Sequence, residues 1–143
     1  MKKTRILIID DEASVTRSIR INLEALGAYE VCPENYARSA LQTAREFRPD
    51  LILLDVMMPE MDGGAVAAQL QGDPLLKDTP IVFLTALVSN EETKRREAHI
   101  GGMNYLAKPV DLAELTRAIE AHLKRSRGSS SLQAGSDEAG ERK

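Results

Sequence analysis

A single cysteine in 143 residues leaves no internal disulfide to form. Cys32 therefore reads as a small core hydrophobe, and such sparse use of cysteine fits a reducing compartment. There is no run of about 18 apolar residues, so no spanning helix and no membrane partner are expected. Met1-Lys2-Lys3-Thr4 leads straight into an apolar strand without the longer stretch of a signal peptide, so a cytoplasmic location is expected. Positive charge is in short supply too. Nineteen Lys and Arg stand against 22 Asp and Glu, a net charge of −3, and no nucleic-acid partner is expected without a basic footprint. Several catalytic signatures are missing: a Gly-rich loop ending in Lys-Ser/Thr, a Gly-x-Gly-x-x-Gly turn, and any Cys/His spacing for a metal. His99 and His122 fall on predicted helix faces and read as solvated.

What remains is ordinary in bulk and specific in order. Apolar residues make up 43% and charged residues 29%, as in a globular domain. The length suits one domain, and a chain of this size buries roughly 70% of its unfolded surface. Strand and helix alternate five times. Residues 4–10 predict a first strand, and 13–26 a helix with Val15, Ile19, Leu23 and Leu26 at helical spacing. Gly27 sits where a left-handed helix end belongs. A weak strand spans Tyr29 to Cys32, and a helix 37–47 carries Ala40, Leu41, Ala44 and Phe47. Asp50 to Asp55 reads as a central strand from its continuous apolar run.

A turn-rich loop, Met57-Met58-Pro59 to Gly63-Gly64, precedes a helix with Val66, Ala67 and Leu70. Gly72 to Pro80 leads into a fourth strand, Ile81 to Leu84. Residues 89–99 predict a helix with almost no apolar stripe between Asn90 and Glu97, which reads equally as an ordinary solvated helix or as the kind of weakly packed element that moves. Gly101-Gly102 ends it. Met103 to Ala107 is the fifth strand, and 111–125 a closing amphipathic helix through Leu112, Leu115, Ile119 and Leu123. The domain is expected over residues 1–125. The Ser- and Gly-rich residues 126–143 offer no core and are expected to be a disordered tail.

This βα repeat predicts an α/β fold, a doubly wound, five-stranded parallel sheet in the flavodoxin-like order 2-1-3-4-5. Ligands bind such sheets at the C-terminal ends of the strands. At those ends stand Asp10-Asp11, Asp55, Thr85 and Lys108. Each has an ordinary reading alone, as a cap, a turn former or a solvated charge. Asp11 or Glu12 favours a first helical turn. Together they make a reaction centre. Three close carboxylates stay ionised only beside a cation. Their all-oxygen chemistry favours Mg²⁺, with Asp11 and Asp55 as direct ligands and Asp10 acting through a water. Asp55 would be the nucleophile, Lys108 a fixed charge for a phosphoryl oxygen, and Thr85 a hydroxyl donor, with Ala86 leaving room.

At this point a resemblance carries the reading further. Asp10-Asp11, Leu53-Leu54-Asp55-Val56-Met57-Met58-Pro59 with Asp62-Gly63, Leu84-Thr85-Ala86 and Tyr105-Leu106-Ala107-Lys108-Pro109 resemble the receiver domains of two-component response regulators. The likeness covers residues 4–125, in the family's order and near its spacings. It implies that Asp55 is phosphorylated from a phosphohistidine on a sensor histidine kinase or phosphotransfer protein. It implies Mg²⁺ held by Asp10, Asp11, Asp55 and the backbone carbonyl of Met57. It also implies a switch coupling Thr85 to Tyr105, read by a protein output partner on the face of the predicted fourth helix, fifth strand and last helix. Such a chain is not an enzyme on external substrates; it catalyses only its own phosphorylation and dephosphorylation.

The sequence departs from the family pattern around the site. Met57 and Leu87 are apolar where polar residues are frequent, which predicts a long-lived phosphorylated state. Gly101-Gly102-Met103-Asn104 replaces the common Ala-Gly-Ala-Asp. The leading expectation is a stand-alone phospho-switch, monomeric or weakly dimeric, with no DNA-binding or catalytic module. The alternative is a receiver excised from a hybrid histidine kinase or multidomain regulator. A metal-dependent phosphohydrolase is disfavoured, because Met57 stands where a second acid is often found.

Overall fold

The computed structural model of the chain describes residues 2–59, 61–85 and 104–124. The apolar runs form the strands β1 (Thr4–Ile9), β2 (Tyr29–Glu34), β3 (Leu51–Asp55), β4 (Ile81–Thr85) and β5 (Asn104–Ala107). All neighbours pair in parallel, in the order β2-β1-β3-β4-β5. This is the expected flavodoxin-like arrangement. Helices α1 (Ala13–Ala25), α2 (Ala40–Phe47) and α3 (Gly63–Gln71) lie between strands, and residues 112–124 are helical.

Strand alternation sorts the core into two layers. Leu7, Ile9, Ile52, Leu54, Ile81 and Phe83 pack on one face with α2 and α3, through Ala44, Val66 and Leu70. Ile6, Ile8, Leu51, Leu53, Val82 and Leu84 pack on the other with Ile19 and Leu23 of α1 and Leu115 and Ile119 of the 112–124 helix. All nine residues of the β1 and β3 runs from Ile6 to Ile9 and Leu51 to Asp55 are buried, which is why those runs lack polar alternation. At about 1.5–3 kcal/mol per large apolar side chain, these two strands anchor the sheet.

Several boundaries moved, each for a physical reason. The second strand continues through Pro33 to Glu34, because proline is tolerated on an edge strand and β2 is an edge. The predicted 37–47 helix opens as a short 3-10 turn, Ala37–Ser39. Gly27 has φ of +89°, as its place beyond α1 required. Helix α2 instead stops at Arg48, a non-glycine residue at φ 55°. His122, expected to be solvated, is buried. It lies seven residues after Leu115 and three after Ile119, hence on their face of the helix. Cys32 is half-buried against the core, and burial pushes its thiol pKa up, which favours the inert form. The predicted 89–99 helix, His99, Ala86, Leu87, the Gly101-Gly102 turn and the 126–143 tail lie outside the described residues.

Candidate functional site

The alternation that layers the core also aims the polar residues. Asp10 follows Ile6 and Ile8 by even steps, Asp55 follows Leu51 and Leu53, and Lys108 follows Leu106. All of these apolar residues pack on the α1 side of the sheet, so the three polar side chains leave their strands toward the same face. Register does the rest. Ile9 pairs with Leu54, placing Asp10 level with Asp55. Pairing continues past each strand end. The Asp10 amide donates to the Glu34 carbonyl at 3.1 Å, Val56 to Leu84 at 2.9 Å, and Lys108 to Thr85 at 2.7 Å.

The structure brings Asp10, Asp11 and Asp55 together, each offering a carboxylate oxygen within 4.8 Å of the others. Asp10 and Asp55 are buried, whereas Asp11 is exposed. The Lys108 ammonium stands 2.7 Å from Asp10 Oδ2, 3.3 Å from Asp55 Oδ1 and 3.6 Å from Glu12 Oε1. Burial and the neighbouring Asp10 charge raise the Asp55 pKa, and Lys108 offsets only part of this. Burial alone would lower the Lys108 pKa, but the Asp10 and Asp55 carboxylates outweigh it and hold it above the usual lysine value.

Three carboxylates with one ammonium leave surplus negative charge in a partly buried cleft. Among the described residues, Asp10 Oδ2 is buried and has no aligned hydrogen bond, only the ion pair to Lys108. An all-oxygen donor set with an under-coordinated buried oxygen fits a hard divalent cation such as Mg²⁺.

Loop chemistry holds the rim. Asp62 caps α3 by accepting the Ala65 amide at 2.9 Å. Gly63 donates to the Val56 carbonyl at 2.8 Å, and a Cβ there would lie 2.5 Å from the Asp55 carbonyl oxygen. Only glycine lets α3 start so close to the end of β3. Met57 is 73% exposed beside the cluster, and its amide lies 3.4 Å from Asp55 Oδ1. Thr85 is buried at the end of β4, the strand next to Asp55. Tyr105 is 7% exposed and stacks on Phe83, with ring centroids 5.1 Å apart. It faces the opposite side of the sheet from Lys108.

Sequence reasoning missed two residues. Glu12 was read only as a possible helix-start charge, yet it faces the Lys108 ammonium. Asn35 was not singled out; it donates to the Asp10 carbonyl at 2.7 Å and to Thr16 Oγ1 at 3.1 Å. The signal for Asn35 was its place one residue beyond the strand that pairs with β1.

The model of the response regulator receiver domain matches residues 6–120. The chain belongs to the response regulator receiver family. Its sheet order and helices match those of the family's solved structures: chemotaxis protein CheY4 of Vibrio cholerae superposes with a TM-score of 0.72 at 30% identity, covering 84% of this chain and 98% of that one. Among curated relatives, RpaA of Synechocystis, a DNA-binding dual master transcriptional regulator, is 37% identical over 121 residues. PhoP of Bacillus subtilis, an alkaline phosphatase synthesis transcriptional regulatory protein, is 38% identical over 122 residues. In both cases the match covers 85% of this chain and 49% of the relative. The receiver thus spans about half the length of the curated relatives it matches.

That finding corrects the expectation that nucleic acid plays no part. A net charge of −3 describes this receiver alone, while a relative sharing it is named as DNA-binding. The charge of one domain is no guide to what a longer protein carrying that domain binds. The expectation that no DNA-binding module accompanies the receiver loses its basis for the same reason. No helix among the described residues is long and apolar enough to cross a membrane. Receivers are signalling switches, and these relatives are named regulators rather than enzymes.

Proposed function

We propose that this receiver is a phosphorylation-dependent switch whose acceptor is Asp55. The observation that carries the reading is one buried carboxylate meeting an ammonium at 3.3 Å and two further carboxylates within 4.8 Å, all at strand ends. An Asp55 oxygen attacks phosphorus, the P–N bond to a donor phosphohistidine breaks, and the imidazole leaves with the electron pair. The donor is a sensor histidine kinase or a phosphotransfer protein. Lys108 turns from Asp55 to an incoming phosphoryl oxygen, and the Thr85 hydroxyl donates to another. Asp10, Asp11, Asp55 and the Met57 carbonyl would hold Mg²⁺, which supplies charge neutralisation for the phosphoryl oxygens when bound. Asp10 would do so through a water.

Thr85 and Tyr105 form the switch, and partner binding changes on the face of β5 and the 112–124 helix. Its catalysis is confined to its own phosphorylation and dephosphorylation, in the cytoplasm, within a receiver of residues 1–125. A second reading is favoured by the half-length coverage of its relatives: the receiver of a multidomain regulator, whose output is transcription as the names of RpaA and PhoP state for those proteins.

Incubation with acetyl phosphate and Mg²⁺ should add one phosphoryl group, located on Asp55 by peptide mapping. Asp55→Asn should abolish it. Labelling of the variant at the wild-type rate on the same peptide refutes the assignment.

A further inference from the structure

Asn35 lies in the loop after β2 and touches none of the three carboxylates, yet its bonds converge on the turn that carries two of them. Its side-chain Nδ2 donates to the Asp10 carbonyl at 2.7 Å and to Thr16 Oγ1 at 3.1 Å. Thr16 is buried, and its hydroxyl donates its one proton to the Ala13 carbonyl at 3.1 Å. The hydroxyl lone pairs are thereby left to accept from Asn35. Both acceptors demand N–H, so the amide has one orientation.

The Asp10 carbonyl belongs to the planar Asp10–Asp11 peptide. Holding that oxygen fixes the plane, and with it the direction in which the Asp11 Cα and side chain leave. Asp10 is further tied by its amide to the Glu34 carbonyl and by its Oδ1 to the Glu12 amide. Asp11 itself sits on the exposed turn between these anchors. The loop bearing Asn35 is also braced. Glu34 accepts the Tyr36 amide at 2.9 Å through Oε2 and the Thr43 hydroxyl at 2.6 Å through Oε1. Asn35 is therefore presented from a loop fixed to both β2 and α2.

We infer that Asn35 is a positioning residue for the acidic cluster, orienting the Asp10–Asp11 peptide with Thr16 as its brace and so setting the affinity for Mg²⁺. This rests on reading Asp10, Asp11 and Asp55 as a Mg²⁺ site. Partners that orient metal ligands typically carry 10–100-fold of affinity. Asn35 acts through a backbone carbonyl rather than on a carboxylate directly, which places it at about tenfold, the low end of that range.

The test is calorimetric titration of the full chain with MgCl₂, alongside urea denaturation without Mg²⁺. Asn35→Ala should weaken Mg²⁺ binding about tenfold. Thr16→Val should weaken it less, and Thr16→Ser, which keeps the hydroxyl, should restore wild-type affinity. The double variant Asn35→Ala, Thr16→Val should bind like Asn35→Ala alone, because Thr16 acts through Asn35. At saturating Mg²⁺ the labelling rate of Asn35→Ala should return to near wild type. If Asn35→Ala or the milder Asn35→Ser lowers the urea midpoint while Mg²⁺ affinity stays at wild type, the role is structural only and the inference fails. Absence of Mg²⁺ binding by the wild type itself instead removes the metal-site reading, and this inference with it.

Discussion

Replacing Lys108 by methionine keeps most of the apolar stem and removes the charge. The Lys108 side chain is only 14% exposed, and its partners Asp10 and Asp55 are almost fully enclosed. At 2.7 and 3.3 Å, each attraction is about 5–6 kcal/mol at an effective dielectric near 20. Desolvation of the three groups offsets most of that. The variant keeps two buried carboxylates side by side with nothing between them. Breaking a buried pair this way costs about 3–5 kcal/mol, a large share of a domain's stability. Urea denaturation without divalent cations should register that loss. Excess Mg²⁺ should then stabilise the variant by more than it stabilises the wild type, because the ammonium no longer competes for the same carboxylates; a ligand at 100 times its Kd contributes about 2.7 kcal/mol. A loss below about 1 kcal/mol without Mg²⁺ would refute the reasoning. So would a Mg²⁺-dependent gain no larger than that of the wild type.

Burial, then the 2.7 Å hydrogen bond that Tyr29 donates to Glu120, raise the phenol pKa to about 12. The fold holds that proton more tightly than the open chain, so this stability, about 2–3 kcal/mol, is complete below about pH 10 and is lost as pH rises through 12. Urea midpoints from pH 9 upward should fall more steeply in the wild type than in Tyr29→Phe, and parallel profiles would contradict this. Gly63→Ala drives a Cβ to within 2.5 Å of the Asp55 carbonyl oxygen and should cost about 1–3 kcal/mol while slowing labelling of Asp55; unchanged melting and labelling would show that the loop yields freely. Met57, 73% exposed beside the cluster, cannot orient an attacking water, so Met57→Asn with Leu87→Glu should hasten decay of phospho-Asp55 several-fold. Equal decay rates would clear these two side chains of any control over lifetime.

Much of this molecule was legible because its strands are covered on both faces. A run such as Leu51-Ile52-Leu53-Leu54 has few alternatives to a central strand, and the charged residue that ends it is then placed by parity and register. That logic reached Asp10, Asp55 and Lys108. It failed where position depends on a neighbour distant in sequence. Asn35 reads as a loop residue until β2 is paired with β1, and Glu12 reads as a helix-start charge until β5 delivers Lys108 beside it. His122 was misjudged because residue type was weighed before helical spacing. The expected second strand ended at Cys32, one residue before Pro33, a proline that the observed strand tolerates because it lies at the margin.

The same Pro33 has a consequence for how the molecule behaves in a crowd. It stands opposite Ile8 in the outermost strand, the margin an extended segment from another molecule would approach, where the Val31 amide is already taken by Glu24 Oε2 at 3.0 Å. Proline offers no N–H to such a visitor, and its ring breaks any continuous ladder. Growth by strand addition, the seed of fibrillar aggregation, therefore meets an interruption within a six-residue strand. Copies of the receiver can meet repeatedly at this margin without polymerising through it.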